Sequence, residues 1–245
     1  MAGASAVAHR PAHLIKVKSR PMNLALFDLD HTLIPTDSDH EWGRFLVRQG
    51  VVDEESYRRK NDEFYGHYKA GTLDIQEFLR FALAPLAANP RDRLEALRQR
   101  FMHEVIDPVI TPQARALVYK HIEAGDLCAV VTATNSFVTA PIVAAFGIKH
   151  LIATEPATVD GKPGSQFTGE VHGVPSFREG KITRVDAWLK SQGTHWDDFG
   201  TTVFYSDSAN DLPLLEKASE PIATNPDDRL RQHAAAAGWR IMDLF

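Results

Sequence analysis

Leu24-Ala25-Leu26-Phe27-Asp28-Leu29-Asp30-His31-Thr32-Leu33-Ile34 is the stretch from which this chain is best read. Its first four residues are apolar without alternation, the pattern of a strand buried on both faces, as in a parallel sheet. Two aspartates follow at once. Similar runs recur at Leu127 to Val131 and Thr202 to Tyr205, with weaker ones at His150 to Thr154 and Pro221 to Ala223. Helical patterns lie between them. Thr111-Pro112 starts one, with proline at the first helical position, and Gly125 stops it. Ser136 to Phe146 is a second, closed by Gly147, and Lys181 to Leu189 and Asn210 to Ala218 are two more. Strands alternating with helices predict an α/β fold with an open sheet.

The rhythm breaks between Thr36 and Asp107. Trp42, Phe45 and Leu46 share a helical face, as do Phe78, Phe81 and Ala82, and Leu94, Leu97, Phe101 and Val105 recur at spacings of three and four. Gly50, Gly71 and Asn89-Pro90 punctuate the segments. These signals predict four helices inserted after the first strand. The expected division is a tail over residues 1–21, a sheet core over 22–36 and 108–245, and a helical insert over 37–107. A glycine-bearing stretch from Glu155 to Phe177 predicts a β-hairpin.

The 245 residues carry a net charge of −5. This mild acidity argues against nucleic acid as a partner, and no apolar stretch is long enough to cross a membrane. A single cysteine, Cys128, rules out a disulfide within the chain and fits a reducing, cytoplasmic setting. Residues 1–21 are basic but lack the apolar segment of a secretory signal.

Asp28 and Asp30 follow one buried strand, Asp207 follows another, and Asp211 lies four residues further on. Ligands of open parallel sheets sit outside the carboxyl ends of the strands, so these acids should gather in one crevice. Two unit charges about 4 Å apart repel by about 4 kcal/mol at an effective dielectric of about 20. A hard divalent cation would relieve that repulsion, and Mg²⁺ is the common choice beside phosphate. A carboxylate can attack phosphorus directly, and a second one two residues on can serve the leaving oxygen as acid and then base. Asp28 and Asp30 have that relation. Thr132, just past its strand, the helix start near Ser136, and Lys181 in the first turn of a helix supply groups for phosphate.

These four pieces resemble the motifs of the haloacid dehalogenase (HAD) superfamily. Leu24 to Ile34 looks like the first motif, Thr132 the second, Lys181 the third and Ser206-Asp207-Ser208-Ala209-Asn210-Asp211 the fourth. The resemblance implies a Rossmann-like core with an all-helical cap. It makes Asp28 the nucleophile and Asp30 the acid/base of a phosphatase. It also implies Mg²⁺ held by Asp28, Asp207 and the backbone carbonyl of Asp30, with Asp211 behind them and Asn210 touching phosphate. Ser206 stands where the fourth motif usually has glycine, a change expected to matter little.

The placement of the insert is similar to the phosphoserine-phosphatase-like branch (subfamily IB). In that branch a glutamate nine residues after the nucleophile reads the substrate amine; here the position is Asp37. The arginine that reads the substrate carboxylate falls at Ala82, and Arg80 is no obvious substitute. The expected substrate is therefore a small phosphorylated metabolite with an amine or polyol and no α-carboxylate, such as histidinol phosphate, the acids Asp37, Asp39 and Glu41 favouring the amine. Asp39 is expected to cap a helix, and His40 and His67 to lie on the surface. Phosphoserine hydrolysis, phosphoryl transfer to an alcohol, and a nucleic-acid module using the basic tail are the competing functions.

Overall fold

A computed structural model describes residues 22–245; the tail expected over residues 1–21 lies outside the described residues. Seven strands form one sheet in the order β4-β3-β2-β1-β5-β6-β7. β1 (Leu24–Phe27) sits at its centre, parallel to β2 (Leu127–Asn135) on one side and β5 (Thr202–Ser206) on the other. β3 (His150–Thr158) continues outward from β2, and β6 (Glu220–Thr224) and β7 (Arg240–Met242) from β5. Only β4 (Phe167–His172) runs antiparallel, against β3. The expected hairpin is thus the far half of β3 folded onto β4.

The period-2 geometry of a strand divides β1 between two cores. Ala25 and Phe27 enter one apolar cluster, Leu24 and Leu26 the other. The first cluster is covered by α5 (Pro112–Glu123) and α6 (Ser136–Ala145), the second by α7 (Glu179–Ser191), α8 (Leu212–Lys217) and α9 (Asp228–Ala237). Thr111 caps α5 by accepting the Ala114 N–H, as its Thr-Pro start predicts. A 3-10 turn at Ala209–Asp211 precedes α8, where the sequence suggests one continuous helix. Strand β7 and helix α9 have no counterpart in the sequence reading.

Four helices separate β1 from α5: α1 (Ser38–Arg48), α2 (Glu54–Ala70), α3 (Ile75–Ala88) and α4 (Arg91–Phe101). Trp42, Phe45 and Leu46 are buried together, with Trp42 edge-on to Phe101 at 5.2 Å between centroids. They join the same apolar cluster as Phe27, so this side of the sheet and the inserted helices share a core. On α3 the most buried residues are Leu79, Leu83 and Leu86 beside Ala82; Phe78 and Phe81 instead meet Phe64 of α2. Leu94, Leu97 and Phe101 are buried as their spacing predicts, but the next core residue is Ile106 and not Val105. Met102–Ile106 wind as a π-helix, and its wider turn moves the buried stripe on by one residue. Among the described residues, no helix is long and apolar enough to cross a membrane.

Candidate active site

The sheet order changes direction at β1, and the crevice outside the ends of β1, β2 and β5 is where the acids converge. Asp28 is tied in place by its own N–H, which donates to the Tyr205 carbonyl at 2.8 Å. Its Oδ1 accepts from Lys181 Nζ at 2.8 Å, and the same ammonium donates to Asp211 Oδ2 at 2.7 Å. Thr32 Oγ1 lies 3.4 Å from Asp28 Oδ2 and 3.1 Å from Asp207 Oδ1, and accepts the Asp207 N–H at 3.0 Å. One hydroxyl therefore spans the two carboxylates. Its role was not assigned from sequence, although its place in the first motif was visible.

Lys181 reaches this position, only 1 % exposed, because of the loop before α7. A Cβ on Gly180 would lie 2.1 Å from the Pro175 carbonyl oxygen, so only glycine lets the chain close there. Burial opposes the lysine's charge, but Asp211 and Asp28 more than offset that and hold its ammonium above the usual value. The Asp28 carboxyl is pushed up to about 7, chiefly by burial and despite Lys181 beside it. Asp207 is raised well above the usual range by burial and then by the charges of Asp28 and Asp211. Asp30 is raised to about 6 by burial and by Asp37, against hydrogen bonds from Ser38 and Thr134.

The acid/base candidate is held from two sides. Asp30 Oδ1 accepts the Ser38 N–H at 2.7 Å, and Oδ2 accepts from Thr134 Oγ1 at 2.9 Å. Thr134 is a contact that sequence reading missed; its signal was the hydroxyl-rich end of β2, Thr132-Ala133-Thr134-Asn135-Ser136. Thr132 is buried and lines the same chamber, its Oγ1 accepting the Thr134 N–H at 3.2 Å. The N-terminus of α6, expected to offer free N–H groups, is capped by Asn135, whose Oδ1 accepts the Val138 N–H at 3.1 Å.

Other expectations need correction. The amide of Asn210, expected at the phosphate, is bonded within the protein. Its Nδ2 donates to the Tyr68 carbonyl at 3.1 Å, and its Oδ1 accepts from Arg178 Nη2 at 3.3 Å. Arg178 also donates to the Gly71 carbonyl at 2.7 Å, so both residues pin the end of α2 over the site. Ser206 is not a neutral replacement for glycine, since its hydroxyl donates to Asp211 Oδ2 at 2.7 Å. Asp37, the expected amine reader, caps α1 through Oδ1, which accepts from Asp39 N and His40 N. Asp37 lines the chamber as well as capping the helix; Asp39, expected to be the cap, and His40, expected on the surface, line it too. His67 is half exposed, as expected. His31 bonds Tyr65 through Nε2 at 3.1 Å, and its carbonyl accepts from Asn225, which also binds the Leu244 N–H.

The chamber lies between the sheet and α1 to α3. Asp28, Asp30 and Thr132 form its floor. Phe64, Tyr65, Tyr68 and Phe78 from the helices, and Phe177 from the loop before α7, form an aromatic wall. Among the described residues, no lysine or arginine lines it. Arg80, on α3, borders a different surface depression, with Gln76 and Gly169.

The donor set suits a hard cation. Asp28 and Asp207 are buried, oxygen-only and mutually repelling, with Lys181 the one ammonium bonded to this group. No three His, Cys, Asp or Glu side chains among the described residues converge as a cage. Mg²⁺ does not need one, because it takes one or two carboxylates and fills its shell with water and substrate phosphate. The residues present therefore fit that ion.

Residues 25–216 match the family model for haloacid dehalogenase-like hydrolases. A histidinol-phosphatase of Neisseria meningitidis is 46% identical over 91% of this chain and 99% of its own length. A crystal structure of a protein of unknown function from Bordetella pertussis is 51% identical, covers 91% of this chain and 99% of its own, and superposes with a TM-score of 0.86. A substrate-bound phosphoserine phosphatase, 21% identical over 93% of this chain and 95% of its own, shares the fold with a TM-score of 0.66. The chain thus belongs to the haloacid dehalogenase-like hydrolase family and is a phosphatase of that family.

Proposed function

We propose that this phosphatase is a magnesium-dependent phosphomonoesterase that acts, through an aspartyl-phosphate on Asp28, on a small amino-alcohol phosphate, with histidinol phosphate the leading substrate. The observation that carries the substrate reading is the chamber itself: carboxylates and aromatic rings line it, and no lysine or arginine among the described residues does. A substrate carboxylate would meet only like charge there. An amine and a flat ring would each find a partner. The relative from Neisseria meningitidis, with its name, points the same way.

In the first half-reaction an Asp28 oxygen attacks phosphorus and the phosphorus–oxygen bond to the alcohol breaks. Asp30, whose carboxyl is raised to about 6, gives its proton to the departing oxygen. In the second half-reaction Asp30, now ionised, takes a proton from water as that water attacks phosphorus. Inorganic phosphate leaves and Asp28 is restored. Thr134 and the Ser38 N–H hold Asp30 at the correct angle for both transfers. Lys181 keeps Asp28 aligned and in its charged form, and Thr132 donates to a phosphoryl oxygen. Mg²⁺ held by Asp28, Asp207 and the Asp30 carbonyl would neutralise phosphate charge and keep the reacting oxygens in line. The helices α1 to α3 act as a cap that keeps bulk water out, with the insert over 37–107 as its extent.

The test is phosphate release, with and without magnesium, from histidinol phosphate, phosphoserine, phosphorylated sugars and nucleotides. Histidinol phosphate should lead, and Asp28→Asn should abolish turnover. Faster turnover of phosphoserine, or an active Asp28→Asn enzyme, would overturn the substrate or the nucleophile respectively.

A further inference from the structure

The oxygens of Asp37 and Asp39 are used differently. Asp37 Oδ1 accepts two backbone N–H groups of α1, at 3.0 Å from Asp39 and 2.8 Å from His40. Removing this carboxylate would fray a helix. Asp39 has one donor, Asn135 Nδ2, at 3.2 Å on Oδ1, and no donor among the described residues reaches its Oδ2. Yet Asp39 is only 9 % exposed and lines the same chamber as Asp28 and Asp30. Its Oδ2 opens onto the chamber, where a bound ammonium would supply the donor that the described residues do not.

Its position relative to the reacting end says what that donor belongs to. Asp30 is bonded to Thr134, the next residue is Asn135, and Asn135 is bonded to Asp39. The two carboxylates thus hang from neighbouring residues at the end of β2. A leaving oxygen at Asp30 would place an amine two carbons away on the Asp39 side. The rest of the leaving group would extend towards Phe64, Tyr65 and Phe78. We propose that Asp39 binds the ammonium of a 2-amino alcohol phosphate and so sets the preference for amine-bearing leaving groups, a role that rests on the phosphatase reading above. His40 and Asn61, linked to each other at 3.1 Å, stand on the same wall. Asp37 lines the chamber too and its Oδ2 has no donor among the described residues, but its Oδ1 holds the start of α1, so the two acids are compared directly in the test.

The test compares histidinol phosphate with its deamino analogue, 3-(imidazol-4-yl)propyl phosphate, on wild type, Asp39→Asn and Asp37→Asn at saturating magnesium. Wild type should favour the amine by about 10- to 100-fold in kcat/KM, the range for one hydrogen bond to a charged group. Asp39→Asn should bring the ratio to within about threefold of one, while Asp37→Asn keeps it. A ratio unchanged in Asp39→Asn, or lost only in Asp37→Asn, overturns the assignment although the phosphatase reading stands. If wild type hydrolyses neither compound, that reading fails first, and calorimetry with the two free alcohols then decides Asp39. Tighter binding of the amino alcohol by wild type, lost in Asp39→Asn, supports the role. Equal binding of both alcohols by wild type overturns it without any variant.

Discussion

A residue kept for binding should be held at a cost in stability, and for Asp39 that cost can be worked out. Its carboxyl is pushed up to about 8, first by burial, then by Asp37 beside it and Asp30 from the loop after β1, against the Asn135 hydrogen bond. Tyr57, across from it on α2, carries no charge in this range. In the unfolded chain an aspartate titrates near ~4. Between those values the folded state keeps a proton that the unfolded state has released. The folded state binds more protons there, so stability falls as pH rises through this window. At about 1.4 kcal/mol per unit, a gap of about four units sets a ceiling near ~5 kcal/mol. Relaxation and water entry bring the effect to about 2–4 kcal/mol. Asp39→Asn deletes the charge and keeps an oxygen for Asn135. The variant should match wild type near pH ~4, the lower edge of the window, and exceed it near pH ~8, where Tm should rise by roughly 4–15 °C for a chain of this size. Thermal unfolding of both proteins at those two pH values measures this directly. Titrations of groups that do not interact with Asp39 are common to both and cancel in the difference, while Asp37 and Asp30, relieved of its charge, shift in the same stabilising direction. A difference that does not change with pH, or a wild type that is the more stable at the higher pH, would refute the reasoning.

Lys181→Met leaves Asp28 and Asp211 buried without their shared ammonium. It should cost about 3–5 kcal/mol in urea unfolding and remove turnover; a loss below about 1 kcal/mol would show that the pairs contribute little. Arg178→Ala frees the Gly71 carbonyl, and with it the end of α2. We expect faster amide exchange over 68–72 and a KM several-fold higher with kcat less affected. Asp37→Ala removes the cap of α1 and should destabilise by about 1 kcal/mol, in the opposite direction to Asp39→Asn. Chelation of divalent cations should abolish phosphate release, and magnesium should restore it and raise Tm through binding to the folded state.

Much of this protein is local, and local features are legible in a chain. The run Leu24 to Phe27 is apolar on both faces, which is enough to call for a central parallel strand. Aspartates directly after two such runs are enough to fill the crevice beyond them, because strand ends are where loops are free to carry polar groups. Capping at Thr111 and the helices of the insert follow from short-range spacing too. The shift from Val105 to Ile106 does not, because a π turn is a compromise reached with neighbours.

What the sequence by itself determined is the fold class and which acids meet: Asp28, Asp30, Asp207 and Asp211, with Lys181 among them. Tertiary structure alone decided what each polar group does with its second partner. Asp37 and Asp39 look interchangeable in the chain, two acids before one helix. Both reach the chamber, but helical geometry turns an oxygen of the first back onto its own backbone N–H groups and sets the second against Asn135 from a strand 96 residues away. Asn210 matches a phosphate ligand by motif, yet the end of α2 takes its Nδ2 and Arg178, from the loop before α7, takes its Oδ1. A hydrogen bond is satisfied by whichever group arrives within about 3 Å, and for partners distant in sequence only the folded chain sets who arrives.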